Sequence, residues 1–275
     1  MNPSTLIGIL GALALLASVL FWSATDPWLY VNLPGLAIVL CGTLAATFIS
    51  YPLQEVLRIF RLLIIVMRNE KLYTSDDIEE LVRIARIWME GNLQGVENAL
   101  EKVRNPFLKT GMQLVVDLTP PDEIMDFMHW RTTRLATREH AEAQLFRVMA
   151  SFAPAFGMVG TLVGLINMMQ VLGAGDMTVI GQQLAIALMT TFYGILLANL
   201  VFKPVAVKLE RRTEQRLVLM NMVTQGISMM FTSKSSPSLM RETLKTFIAE
   251  HDDELRDHHR RRRANKAKPA GRRRS

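Results

Sequence analysis

The chain lacks most of what an enzyme or a secreted domain would need. Its one cysteine, Cys41, sits inside an apolar run, so no intrachain disulfide can form and a cystine-stapled fold is excluded. The stretch 52–148 holds no glycine-rich phosphate loop, no His or Cys cluster at ligand spacing and no nucleophile motif, which argues against enzymatic chemistry, metal or cofactor. The deepest absence is of charge. Four runs, Leu6 to Ala24, Leu33 to Tyr51, Met149 to Leu172 and Gly181 to Phe202, contain no Asp, Glu, Lys, Arg or His. A charged group at a bilayer centre costs about 2.5–3.5 kcal/mol even on the lenient insertion scale, and proteins that move ions usually accept that cost at one carboxylate. This chain supplies none, so any ion passing it must find its charged binding group on another polypeptide.

What is present is apolar and basic. Half of the 275 residues are hydrophobic, and each uncharged run is long enough to span hydrocarbon as a helix. The sequence therefore predicts an all-α polytopic membrane protein with four transmembrane helices and a helical cytoplasmic domain between the second and third. The first run has no basic leader, so it reads as a retained span rather than a signal peptide. All 31 Lys and Arg residues fall in two blocks, 13 from Arg58 to Arg147 and 18 from Lys203 onward. The connecting segments Ser23 to Asn32 and Gly173 to Ile180 carry only Asp26 and Asp176. The positive-inside rule then turns both short loops outward and places the two basic blocks and both termini in the cytoplasm. The net charge of +6 needs no nucleic acid to explain it.

These signals divide the chain into 1–51 (two spans), 52–148 (the cytoplasmic helical domain), 149–204 (two further spans), 205–256 (C-terminal cytoplasmic helices) and 257–275 (a basic disordered tail). Within the second part, Pro52 to Met67 repeats apolar residues at helical spacing. Ser75-Asp76-Asp77 caps a helix that stops at Gly91-Asn92, and short helices follow at Leu93 to Val103 and Phe107 to Leu118. Thr119-Pro120-Pro121-Asp122-Glu123 opens another helix, with no breaker until Pro154, so it should run unbroken into the third span. After Lys203 a polar helix passes into an apolar piece, Leu217 to Phe231, and a last amphipathic helix covers Ser238 to about Arg256. The tail could also attach to anionic lipid, at about 1 kcal/mol per basic residue near the surface.

The third run reads FAPAFGMVGTLVGLI from Phe152 to Ile166. Pro154, Gly157, Gly160, Thr161 and Gly164 share one helical sector, a smooth face suited to close packing against protein. In the fourth run Thr191, Gly194 and Ala198 lie near one stripe, with Asn199 beside it. Thr161 stands about 12 residues from the cytoplasmic end of its helix and Thr191 about 12 from Lys203, so the two hydroxyls are expected to face each other near mid-membrane. Oxygen ligands of this kind suit a hard cation or a water-mediated proton path. Thr190 and Asn199 are lesser candidates for the same lining, Thr190 being equally suited to bond back to its own helix. Pro154 and Pro204 each remove a backbone hydrogen bond and permit bending.

At these residues the sequence resembles the MotA/PomA family of flagellar motor stator subunits, within the wider MotA/TolQ/ExbB group of ion-driven inner-membrane proteins. The resemblance rests on APAFGMVGTLVGLI (Ala153 to Ile166), LMTTFYGILLANLVFKPVAVKL (Leu188 to Leu209) and NLPGLAIVLCGTLAATFI (Asn32 to Ile49). Four spans with the large loop after the second are similar to MotA and PomA rather than to three-span TolQ or ExbB. The resemblance implies a homo-oligomeric ring in the bacterial inner membrane around a MotB/PomB-type partner that contributes a membrane aspartate. It implies ion-path roles for Thr161 and Thr191, conformational coupling through Pro154 and Pro204, transported Na+ or H+, and charged contacts with the rotor switch protein FliG.

The resemblance is imperfect at the rotor-contact segment. Family members place a basic residue before the glycine turn, where this chain has Trp88-Met89-Glu90 before Gly91. The rotor-contact candidates are therefore Arg83, Arg86, Glu90, Glu97 and Glu101. Asn32 stands where some sodium-type members carry aspartate, while the two threonines match the sodium-type pattern. The alternatives are a TolQ/ExbB-like energiser of envelope integrity or outer-membrane import, and a membrane scaffold that moves no ions.

Overall fold

The computed structural model describes residues 30–67, 75–173, 177–231 and 236–246, together with the isolated positions Ile7, Gly8, Gly11, Ala14, Ser18 and Trp22. Most of the expected first span, most of the loop after it, the C-terminal part of the last helix and the basic tail lie outside the described residues. Those that are described form helices α1 (Leu33–Ser50), α2 (Leu53–Met67), α3 (Ser75–Met89), α4 (Leu93–Leu100), α5 (Pro106–Val116), α6 (Pro121–Leu172) and α7 (Met177–Leu196). A π-helical segment, Leu197–Phe202, then leads into α8 (Lys203–Phe231), and residues 237–246 form one more helix. No strand occurs among the described residues.

Three of these stretches, Leu33–Ser50, Pro121–Leu172 and Met177–Phe231, are long and apolar enough to cross a membrane. The helix boundaries follow from local chemistry. Asn32 caps α1 by accepting from the Gly35 N–H at 2.8 Å, with Pro34 in the first turn where a missing donor costs nothing. Gly91 takes φ +75°, the left-handed conformation that ends α3, and Asn92 then caps α4. That helix ends at Leu100, three residues short of the expected Val103, because the chain passes into a tighter turn in which the Lys102 and Val103 N–H groups reach back three residues. Asn105 caps α5 through the Phe107 and Leu108 N–H groups. The helix that starts at Pro121 does continue through Pro154 without interruption.

The chain divides into two compact units, residues 1–71 with 137–213 and residues 72–136 with 214–275. The second has a core of large aliphatic side chains, with Leu81, Ile84, Leu108, Met112, Ile124, Met128, Met222, Ile227, Met240 and Leu244 all buried. The first is built differently. Its buried cluster mixes Ala143, Ala150, Ala153, Ala198 and Ala206 with large residues, among them Val56, Ile59, Leu62, Leu145, Phe146 and Met149, and many of its other large apolar residues point outward. Its buried hydroxyls on α1 turn inward to their own helix, Thr43 donating to Val39 O and Thr47 to Thr43 O.

Candidate ion-path site

The glycine face of α6 meets α7 over its whole length. A Cβ placed on Gly157 would stand 3.0 Å from the Thr190 carbonyl oxygen, and one on Gly164 would stand 3.0 Å from Ala187 Cα. Gly194 returns the contact from α7, where a Cβ would fall 2.6 Å from the Ala153 carbonyl oxygen and 3.2 Å from Pro154 Cα. At Gly157 and Gly194 backbone meets backbone, which leaves no room there for a larger side chain.

That closeness brings the two expected hydroxyls together. Thr161 Oγ1 and Thr191 Oγ1 lie 2.5 Å apart, and Thr161 Oγ1 also lies 2.9 Å from Ala187 O and 3.1 Å from Gly157 O. Thr191 Oγ1 reaches Gly157 O at 3.4 Å. Four oxygens from two helices thus gather at one depth, and the Thr190 hydroxyl donates to one of them, Ala187 O. Both threonines are partly exposed rather than sealed in the core.

Thr190, one position away, is placed differently. It is fully buried, donates back to Ala187 O at 2.8 Å, and uses its methyl group to fill the space over Gly160 and Gly35. Asn199 is exposed and does not join the threonine pair; its amide donates to Ile195 O and its oxygen accepts from Lys203 Nζ at 2.8 Å. Tyr193 ties α7 to the start of α1, its hydroxyl donating to Tyr30 O and accepting from the Asn32 N–H at 2.9 Å. The Asn32 side-chain oxygen is committed to capping α1.

The prolines mark backbone defects. Pro154 sits inside α6, where it leaves the Ala150 carbonyl without its usual donor. Pro204 follows the Leu197–Phe202 segment, whose register has slipped to i→i−5, the Lys203 N–H bonding Ala198 O. The extra residue in that turn relieves the clash a proline ring makes with the carbonyl four residues before it. Arg83 and Arg86 on α3, Glu90 beyond its end, Glu97 on α4 and Glu101 just after it are all solvent-exposed in the second unit. In the same unit Asp77 is buried, one oxygen accepting from Asn105 Nδ2 at 3.1 Å and the other without a partner among the described residues. Burial raises its pKa to about 6, against the opposing Asn105 hydrogen bond and with help from Glu80 and Asp76.

Sequence reasoning missed three features: the Tyr193 tether, the π segment and an Arg147–Glu210 ion pair. The lysine four residues after Asn199 was the one available signal for that side chain's fate.

Comparison with known proteins agrees with this architecture. Residues 99–222 match the model of the MotA/TolQ/ExbB proton channel family. Motility protein A of Borreliella burgdorferi is 31% identical over 92% of this chain and 96% of its own length. Chemotaxis protein PomA of Vibrio alginolyticus is 27% identical over 91% of this chain and 96% of its own. A chain of the C. jejuni MotAB structure shares the fold, with a TM-score of 0.82 at 22% identity over 90% of this chain and 96% of that one. A span-forming helix pair with a charge-free, glycine-lined interface and a match of this length leave one assignment: this chain belongs to the MotA/TolQ/ExbB family, on its MotA/PomA branch.

Proposed function

We propose that the chain is a flagellar motor stator subunit that forms, with a MotB/PomB-type partner, an ion channel converting ion-motive force into torque. The observation that carries this reading is the Thr161–Thr191 pair, four oxygens gathered between two charge-free helical runs, 149–172 and 181–202. Several copies of the chain ring the partner's helices in the inner membrane, and the partner contributes the ionisable carboxylate. The ring contributes oxygen, a narrow apolar enclosure and flexibility. A cation falling inward releases roughly 2.3 kcal/mol per 100 mV. Pro154 and Pro204 lie where the backbone ladder is already broken, so bending there costs few hydrogen bonds. The exposed charges Arg83, Arg86, Glu90, Glu97 and Glu101 are the surface through which the cytoplasmic domain engages the switch protein FliG.

Threonine hydroxyls and carbonyls form a better cage for sodium than for a proton, and sodium is the ion assigned. Swimming speed measured against external sodium at fixed membrane potential is expected to rise and saturate; a flat response would make the ion a proton. Replacing Thr191 with isoleucine is expected to abolish swimming while the complex still assembles, and unimpaired swimming would remove the pair from the ion path.

A further inference from the structure

The two backbone defects of the first unit, at Pro154 and at Leu197–Phe202, are bracketed on both sides. Pro154 denies Ala150 O its usual i→i−4 donor, and the π segment shifts the ladder on the neighbouring helix. Ala150 and Ala153 share one buried cluster with Ala198 and Phe202, so the two defects belong to the same packed layer. Toward the hydroxyl pair, the layer is held by backbone contact at Gly157 and Gly194. On the opposite side, Arg147 of α6 grips Glu210 of α8 with a two-pronged fork, Nε to Oε1 at 2.5 Å and Nη2 to Oε2 at 2.7 Å.

A bidentate guanidinium–carboxylate pair demands one relative position of its two helices, since both bonds fail together when either helix rotates or slides. By contrast, Arg138–Glu142 and Lys245–Glu242 join neighbours along single helices and constrain no pair. The glycine contacts are permanent, because close-packed backbones have no second arrangement without loss of packing. The fork is reversible, with Arg147 about half exposed and water ready to replace either partner.

We propose that Arg147 and Glu210 form a positioning lock that holds α6 and α8 in the resting register beneath the prolines and opens when that layer bends during ion transit. The lock makes bending at Pro154 and Pro204 a switch between two arrangements rather than a continuous splay. The fork stands on its own geometry, while its opening during ion transit and its consequence in motility rest on the stator reading.

The test uses the full chain purified with its partner subunit. Hydrogen exchange of the amides at 197–206 is compared among the wild type, Glu210→Gln, Arg147→Gln and the swap of Arg147→Glu with Glu210→Arg. Each neutral variant is expected to exchange about threefold faster there, the range an ion pair of this kind sustains, and to swim more slowly at unchanged assembly. The swap is expected to recover most of both losses, which a merely space-filling role would not allow. Exchange in Glu210→Gln equal to the wild type, or a swap no better than the single changes, overturns the lock. Failure of the stator reading would show separately, as a wild-type chain that does not restore swimming to a strain lacking it.

Discussion

The two units differ in what brings their helices closest together. The second unit buries leucine, isoleucine and methionine, and its stability comes from apolar surface withdrawn from water. The first unit keeps Met158, Leu162, Ile166 and Met169 on its outside and brings glycine and alanine together. In hydrocarbon, burying a leucine gains little, because lipid is as apolar as the protein interior. Close backbone approach and satisfied hydroxyls are what remain to hold helices together. The difference also explains where chemistry can sit: small residues leave the two threonines within reach of each other, and an aliphatic core would have separated them.

The largest effect is expected at Gly194. Substituting alanine there sets a methyl group against the Ala153 carbonyl and Pro154, backbone atoms that cannot yield. Complete loss of swimming with reduced recovery of the complex is expected, whereas Gly181→Ala, where a Cβ meets nothing within 4 Å, should swim normally. Equal behaviour of the two variants would show that the interface tolerates separation.

Cutting into the aliphatic core should cost less and cost it differently. Leu108 is fully buried in the second unit, and Leu108→Ala is expected to destabilise that unit by about 2–5 kcal/mol through lost transfer energy and a residual cavity. Limited proteolysis of the complex should then cut within 75–136 at lower denaturant concentration, while residues 149–202 keep their wild-type protection.

The smallest expected effect sharpens the contrast through pH. Burial raises the Asp77 pKa from the ordinary 3.8 to about 6 in the folded chain. A raised carboxyl pKa means the folded state holds its proton more tightly than the unfolded one. Its contribution is therefore most favourable below pH 3.8 and is lost as pH rises through about 6, by at most roughly 3 kcal/mol. Hydrogen exchange of the α3 amides should accordingly quicken between pH 5 and pH 7.5 after correction for intrinsic rates, and Asp77→Asn should flatten that dependence. A profile unchanged by Asp77→Asn would place the titration elsewhere.

Much of this was readable along the chain. The starts at Leu33, Ser75 and Pro121, the stop at Gly91 and the continuity of α6 through Pro154 follow from caps, breakers and φ preferences, which act within a few residues. The Thr161–Thr191 pairing was also legible, since equal distances from the ends of two antiparallel spans fix equal depth. The fate of Thr190 was legible only in part, as a choice between lining the path and bonding back to its own helix, because adjacent positions differ by only 100° on the wheel. The Arg147–Glu210 fork was not legible, since its partners are 63 residues apart and meet only through the register of α6 against α8.

The letters alone determined the number and place of the apolar runs, the absence of charge within them and the punctuation of each helix, since these depend on composition and on neighbours in sequence. The tertiary structure decided which oxygens converge, where the ladder slips into π register around Pro204, and that Asn199 turns to Lys203 instead of the threonines. Those outcomes depend on how closely two backbones can approach, and glycine contacts set that distance only once both helices are in place.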